Sequence, residues 1–150
     1  MKKWTAVAMV LAMAIVTTLA AGSLKAAEVA IQGTDQMTYD TTAFTVKAGE
    51  TVKLTLTHAG TLPKAVMGHN VVILAAGEDV EAFSAEAAQA FSTEYFPASY
   101  EEKVIVRTQL LGPGESETVE FTAPAAGTYT FLCTFPGHNL NMRGVMTVES

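Results

Sequence analysis

Alternation with a period of two runs through most of the chain. In TVKLTLTH, Val52, Leu54, Leu56 and His58 fall on one face and Lys53, Thr55 and Thr57 on the other, the pattern of a strand buried on one side. The same alternation turns Phe44 and Val46 inward in AFTV, Val104 and Val106 in KVIVRTQ, Val119 and Phe121 in ETVEFT, and Tyr129, Phe131 and Cys133 in TYTFLC. KAGET, LGPGES and APAAGT place turn residues between these runs at short spacing. Together they predict an all-β, two-sheet sandwich and not a parallel sheet. One segment departs from the pattern. Within about Glu78 to Phe91, DVEAFSAEAAQAF is alanine-rich with apolar residues at Val80, Phe83 and Ala87, which predicts one helix inserted between strands and covering an open part of the sandwich.

The N-terminus belongs to a different regime. Lys2 and Lys3 precede an uncharged run from Thr5 to Ala21, and small residues follow it. This is the layout of a secretory signal peptide; a retained anchor is the alternative, for which the run is short. Cleavage after Ala26 divides the chain into a signal peptide, 1–26, and one domain, 27–150, which is expected in the periplasm with no membrane attachment. A cut near Ala21-Gly22-Ser23 fits the small-residue rule as well. Removing residues 1–26 takes three lysines from nine basic residues and none of the fifteen acidic ones, so the net charge goes from −6 to −9. A chain this acidic, with no basic run, has no footprint for nucleic acid.

In an exported protein the single cysteine becomes a question. Cys133 has no partner for an internal disulfide, so it is buried and inert, intermolecular, or held by a ligand. It stands in TFLCTFPGHNLNMRGV, where His138 and Met142 follow at the spacing Cys-x4-His-x3-Met and Pro136-Gly137 bends the connection. A second imidazole, His69, follows Gly68 in MGHNVVIL at the expected start of a strand. Singly, each has an ordinary reading: a hydrogen-bonded structural histidine, a core methionine, a buried strand cysteine. As a set, one thiolate, two imidazoles and a weak thioether are the ligands of a blue-copper electron-transfer site, whereas zinc has little use for a neutral thioether. A Cys133–His138 nucleophile pair would need an oxyanion site and an orienting partner, and Cys133 lacks the helix N-terminus that usually lowers a thiol pKa. The third histidine, His58, is in phase with core residues and is expected to be structural or proton-linked. With three histidines in all, a second histidine-rich copper site of the reductase kind has no ligands.

IQGTDQMTYDTTAFTV, LTHAGTLPKAVMGHN, GPGESETVEF and YTFLCTFPGHNLNMRGVMTV resemble the azurins, the bacterial branch of the cupredoxin family, over almost the whole of residues 27–150. The resemblance implies an eight-stranded Greek-key sandwich with one helix, holding one copper ion that cycles between Cu(I) and Cu(II). His69, Cys133 and His138 would be the strong ligands, Met142 the distant axial one, and the Gly68 carbonyl would lie on the opposite side. Asn70 and Phe135 would support the ligand loop, Asn70 also donating near the thiolate. Met37, Leu62, Val66, Met67, Pro136 and Leu140, with Phe135, would form an apolar patch around an exposed edge of His138. There a monomer would transiently meet redox proteins such as a c-type cytochrome or a periplasmic oxidoreductase. For Met37 and Met67, core packing is the alternative. The implied function is single-electron shuttling and not enzymic catalysis; copper carriage or storage by the same ligands is the alternative. The chain departs from azurins in lacking the two cysteines near the start, where AEVAIQG has Val29. It also has Val71 after GHN, where some have an aromatic residue, and Asn141 in the ligand loop.

Overall fold

The computed structural model describes residues 25–150. The expected signal peptide lies outside the described residues except for Lys25 and Ala26. Eight strands follow: β1 (Ala27–Gly33), β2 (Ala43–Lys47), β3 (Thr51–His58), β4 (Val72–Leu74), β5 (Val104–Arg107), β6 (Ser116–Thr122), β7 (Gly127–Leu132) and β8 (Arg143–Glu149). They form two sheets, β1-β3-β6 and β2-β8-β7-β4-β5. The expected sandwich is therefore present. Two of its pairings are parallel, β1 with β3 and β2 with β8, because the chain changes sheet between β1 and β2 and again before β3.

The inward faces match the period-two reading in most strands. Val52, Leu54, Leu56 and His58 of β3 are all buried, and Tyr129 and Phe131 of β7 join them in one core with Ile31, Val46, Phe121 and Met146. Phe131 is fully enclosed against the rings of Tyr39 and Phe44, and truncating a buried ring of this kind costs about 3–5 kcal/mol. The strand β5 does not keep the expected phase. A register shift between Ile73 and Leu74 sets Val106 opposite Ile73 but Val104 opposite Leu74. As a result Val106 and Ile105 pack on the main core, while Val104 joins a second cluster with Val72, Leu74 and Leu132. A bulge changes which face a side chain occupies, and alternation alone does not reveal it.

That second cluster lies under the inserted helix. Asp79 caps α2 (Val80–Ala87), its carboxylate accepting from the N–H groups of Glu81 and Ala82, and the helix buries Phe83 and Ala87 against Phe96 and Tyr100. It is shorter than the sequence pattern suggests. After Ala88 the chain turns through a 3-10 segment at Phe91–Thr93 and a second at Ala98–Tyr100. A single turn, α1 (Lys64–Met67), precedes Gly68; it has no amphipathic signature and begins after Pro63, which supplies helix-compatible φ. Among the described residues no helix is long and apolar enough to cross a membrane.

Candidate metal centre

β7 ends at Leu132 and delivers Cys133 to one end of the sandwich. The chain then turns back to β8 through Thr134–Met142. Gly137 takes a left-handed backbone (φ 80°) behind Pro136, a conformation glycine adopts without a Cβ clash. His138–Leu140 form a 3-10 turn. The loop is closed by its own backbone: the Met142 N–H donates to the His138 carbonyl (2.7 Å) and the Cys133 N–H to the Met142 carbonyl (2.9 Å). The residues at the Cys-x4-His-x3-Met spacing are thus tied to one another before any ligand is considered.

His69 arrives from the other side. It lies in the segment leading into β4, where its N–H donates to the Leu111 carbonyl (3.1 Å) and its own carbonyl accepts from the Leu111 N–H (2.7 Å). The ring's Nε2–H donates to the Thr34 carbonyl (3.0 Å), which fixes the tautomer and leaves Nδ1 as a lone-pair acceptor. Gly33 makes that approach possible, since a Cβ there would stand 2.8 Å from His69 Cδ2. On the far side the ring of His58 stacks on His69, centroids 4.5 Å apart. His58 is itself held by Gly60 N–H donating to Nδ1 (3.1 Å) and by Nε2–H donating to the Met67 carbonyl (2.7 Å). His58 is buried, as expected of a structural or proton-linked histidine. Thr34 and Gly33 had no signal in the sequence, because a carbonyl acceptor and a missing side chain leave no pattern.

One nitrogen from His69, one from His138 and the sulfur of Cys133 all lie within 4.8 Å of one another, and all three residues are buried. Among the described residues, His69 Nδ1 is the one buried side-chain polar atom without a hydrogen-bond partner. An orphaned acceptor in a native core requires an explanation, and a metal ion is one that satisfies it. Cys133 Sγ lies 3.7 Å from His138 Nδ1 and 3.9 Å from the Gly68 carbonyl oxygen. The backbone N–H groups of Asn70 and Phe135 point at the sulfur. Asn70 also locks the loop with its amide: Oδ1 accepts from Thr134 N–H (2.8 Å) and Nδ2 donates to Thr134 Oγ1 (2.7 Å). The Tyr39 hydroxyl donates to the Asn70 carbonyl, an anchor that no periodicity announced. Met142 is fully buried in the same cluster as Cys133, and Phe135 packs half-buried with its ring 4.6 Å from His138.

Burial holds the His69 and His138 imidazoles down to about 4, aided in both by the nearby His58, and pushes the Cys133 thiol up to about 11 against the two N–H donors that favour thiolate. Both imidazoles are therefore neutral and ready to donate at neutral pH, whereas the thiol must lose its proton to bind. Cu(II) loading should release one proton. Apparent affinity, followed by competition with a chelator, should rise about tenfold per pH unit across neutrality and fall more steeply below about pH 4, where the imidazoles also take protons. A pH-independent affinity between pH 6 and 8 would exclude Cys133 as the residue that gives up the proton.

The apolar residues expected around His138 divide. Met37, Leu62, Val66, Pro136 and Leu140 are exposed, Val66 by 59% and Leu140 by 69%, whereas Met67 is half-buried. The expected exposed edge of His138 is small, since the residue shows only 2% of its surface.

An eight-stranded sandwich that closes one end over two imidazoles and a thiol belongs to the class of mononuclear copper proteins built on the cupredoxin fold. Soft sulfur beside neutral nitrogen suits that metal. The sequence profile of copper binding proteins of the plastocyanin/azurin family matches residues 25–149, and the chain belongs to that family, with one copper ion as its cofactor. It is 38% identical over 123 residues to the azurin of Pseudomonas denitrificans, covering 79% of this chain and 95% of that one. Among solved structures it resembles reduced auracyanin from Roseiflexus castenholzii, at 41% identity and TM-score 0.74, covering 83% of this chain and 98% of that one. It also resembles an azurin (Az-iso2) from Methylomonas sp. strain J, at 31% identity and TM-score 0.73, covering 84% and 100%.

Proposed function

We propose that the protein is a periplasmic carrier of single electrons, in which His69, Cys133 and His138 would hold copper strongly, with Met142 as a weaker ligand and the Gly68 carbonyl nearby. The observation that carries the reading is the orphaned His69 Nδ1 aimed into a cluster whose other members are already fixed. Bound copper supplies a one-electron couple. The chain contributes a site that does not rearrange. His69 is pinned by Thr34 and stacked on His58, and Cys133 and Met142 are joined through their backbones. Thr134 is clamped by Asn70. Ligands held by groups other than the metal keep one geometry in both oxidation states, and little reorganisation then opposes electron transfer. The exposed face of Met37, Leu62, Val66, Pro136 and Leu140 suits brief contact with redox proteins, because a small apolar area binds weakly and releases fast. A c-type cytochrome or a periplasmic oxidoreductase is the kind of partner it fits.

Copper delivery by the same ligands is the competing reading. Repeated voltammetric cycling separates the two: a carrier of electrons returns to full amplitude with its copper retained in the presence of a Cu(I) chelator, and a carrier of copper loses amplitude at each reduction. The same measurement tests Met142 as a ligand. Met142→Gln, with a harder oxygen donor, should lower the reduction potential and Met142→Leu should raise it. Each shift should be at least about 59 mV, the one-electron equivalent of a tenfold change in relative affinity. Shifts of the same sign in both variants would remove Met142 from the ligand set.

A further inference from the structure

His138 is almost enclosed, so any electron entering or leaving through its ring passes through neighbouring atoms. One of those routes is unusually well defined. From His138 the next ring is Phe135 at 4.6 Å, then Tyr95 at 5.1 Å, then Phe91 at 5.8 Å between centroids. The last two contacts are edge-to-face, interplanar angles 65° and 73°. Phe91 is 77% exposed, the most exposed of the large hydrophobic residues described. We propose that Phe91, Tyr95 and Phe135 form a second, lateral electron path from His138 to the surface, separate from the apolar face above the ligand loop; it rests on the electron-carrier reading of the site.

The path joins two parts of the chain that are distant in sequence. Phe135 and His138 belong to the ligand loop, and Phe91 and Tyr95 to the irregular segment after α2. That segment carries two consecutive left-handed residues that are not glycine, Glu94 (φ 54°) and Tyr95 (φ 62°). Such backbone is held only where its surroundings over-determine it, and it gathers at functional positions. Here it is held by the Tyr95 N–H donating to the Ala90 carbonyl (2.8 Å) and by an ion pair from Lys64 Nζ to Glu94 Oε1. Ala65, Phe91, Tyr95, Leu110 and Phe135 line a groove of ≈ 340 Å³ at this place. An exposed phenylalanine at its rim adds nothing to the core.

Electronic coupling decays exponentially with distance, and it decays less through packed π systems than through open space. Three ring-to-ring steps, each under 6 Å, provide such a medium, whereas the covalent route from residue 91 to residue 138 runs through β5, β6 and β7. One electron leaves the reduced site and the acceptor at Phe91 gains it. No bond forms or breaks and no proton moves.

The test uses a ruthenium–polypyridyl label on Ser92→Cys, beside Phe91 on the exposed segment, and the same label on Gln36→Cys at the other face. A flash in the presence of a viologen acceptor oxidises the label, and the return of the visible band reports electron loss from the reduced copper site. With the label at 92, Tyr95→Leu and Phe91→Leu should each slow that step by roughly tenfold or more. With the label at 36 the rate should not change, and the band and reduction potential should be those of the unsubstituted protein. Equal rates with the label at 92 in Tyr95→Leu and its parent overturn the path. A second readout is independent of the metal. In copper-free protein labelled at 92, the oxidised label should take its electron from Tyr95, whose phenolic proton passes to water. The tyrosyl signal in electron paramagnetic resonance should vanish in Tyr95→Phe. A signal that persists in that variant also overturns the proposal. No oxidation of copper by the label at either position would overturn the electron-carrier reading itself.

Discussion

Copper-loaded protein is expected to be intensely blue, and Cys133→Ser to be colourless. A Cys133 thiolate bound to Cu(II) donates charge from sulfur to metal in the visible range, and neither imidazole nor an alkoxide can replace that transition. The loss should be essentially complete. Folding should survive, because serine is close to cysteine in size and the strand that delivers residue 133 is fixed by β4 and β8 on either side. The serine hydroxyl, enclosed where Cys133 is fully buried, can accept from the same two N–H groups, so the cost should be on the order of 1 kcal/mol. Absorption together with the thermal midpoint distinguishes loss of the chromophore from loss of the fold. A wild-type protein that binds one Cu(II) without colour would remove Cys133 from the site.

Electron self-exchange between two copies is expected to slow by about tenfold or more when Val66 is changed to either lysine or glutamate. The two substitutions separate two causes. Residues 27–150 carry a net charge of −9, six basic against fifteen acidic residues. Long-range repulsion would therefore be eased by Val66→Lys and worsened by Val66→Glu, and salt would screen both effects. Desolvation at an apolar contact penalises the two charges alike, whatever the salt. If the face containing Val66 and Leu140 is where copies meet, both variants are slow. Thr128→Lys, at the opposite end of β7 from Cys133, should change the rate only slightly. NMR line broadening of mixed oxidation states measures all three. An accelerated Val66→Lys protein would show that net charge governs the encounter and that this face is not the port.

The helix and the strand β5 show where sequence reading stops. Val80, Phe83 and Ala87 at helical spacing locate α2, and Asp79 is a recognisable cap, but the pattern continues past Ala88 while the helix does not. Residues 88–96 are recruited into turns by Phe96, which must reach Phe83, and by the strained pair Glu94-Tyr95. In β5, alternation places Val104 and Val106 on one face, and the bulge opposite Ile73 and Leu74 separates them. Both departures come from contacts made across the fold, which no local window contains.

The sequence by itself determined the sandwich, the inserted helix, the burial of His58 and the cluster of His69, Cys133 and His138. Each of these rests on short-range regularity: period-two burial for the strands, a cap and helical spacing for α2, and fixed spacing within one loop for Cys133 and His138. The tertiary structure alone decided how those donors are held. Thr34 fixes the tautomer of His69 from 35 residues away, Asn70 clamps Thr134 across 64, and Tyr39 reaches the Asn70 carbonyl across 31. It alone set His58 against His69 and lined up Phe91, Tyr95 and Phe135 toward His138. Backbone carbonyls and ring stacks have no signature in composition or period. They depend on where separate segments are brought together, and that is fixed only when the two sheets close on a common core.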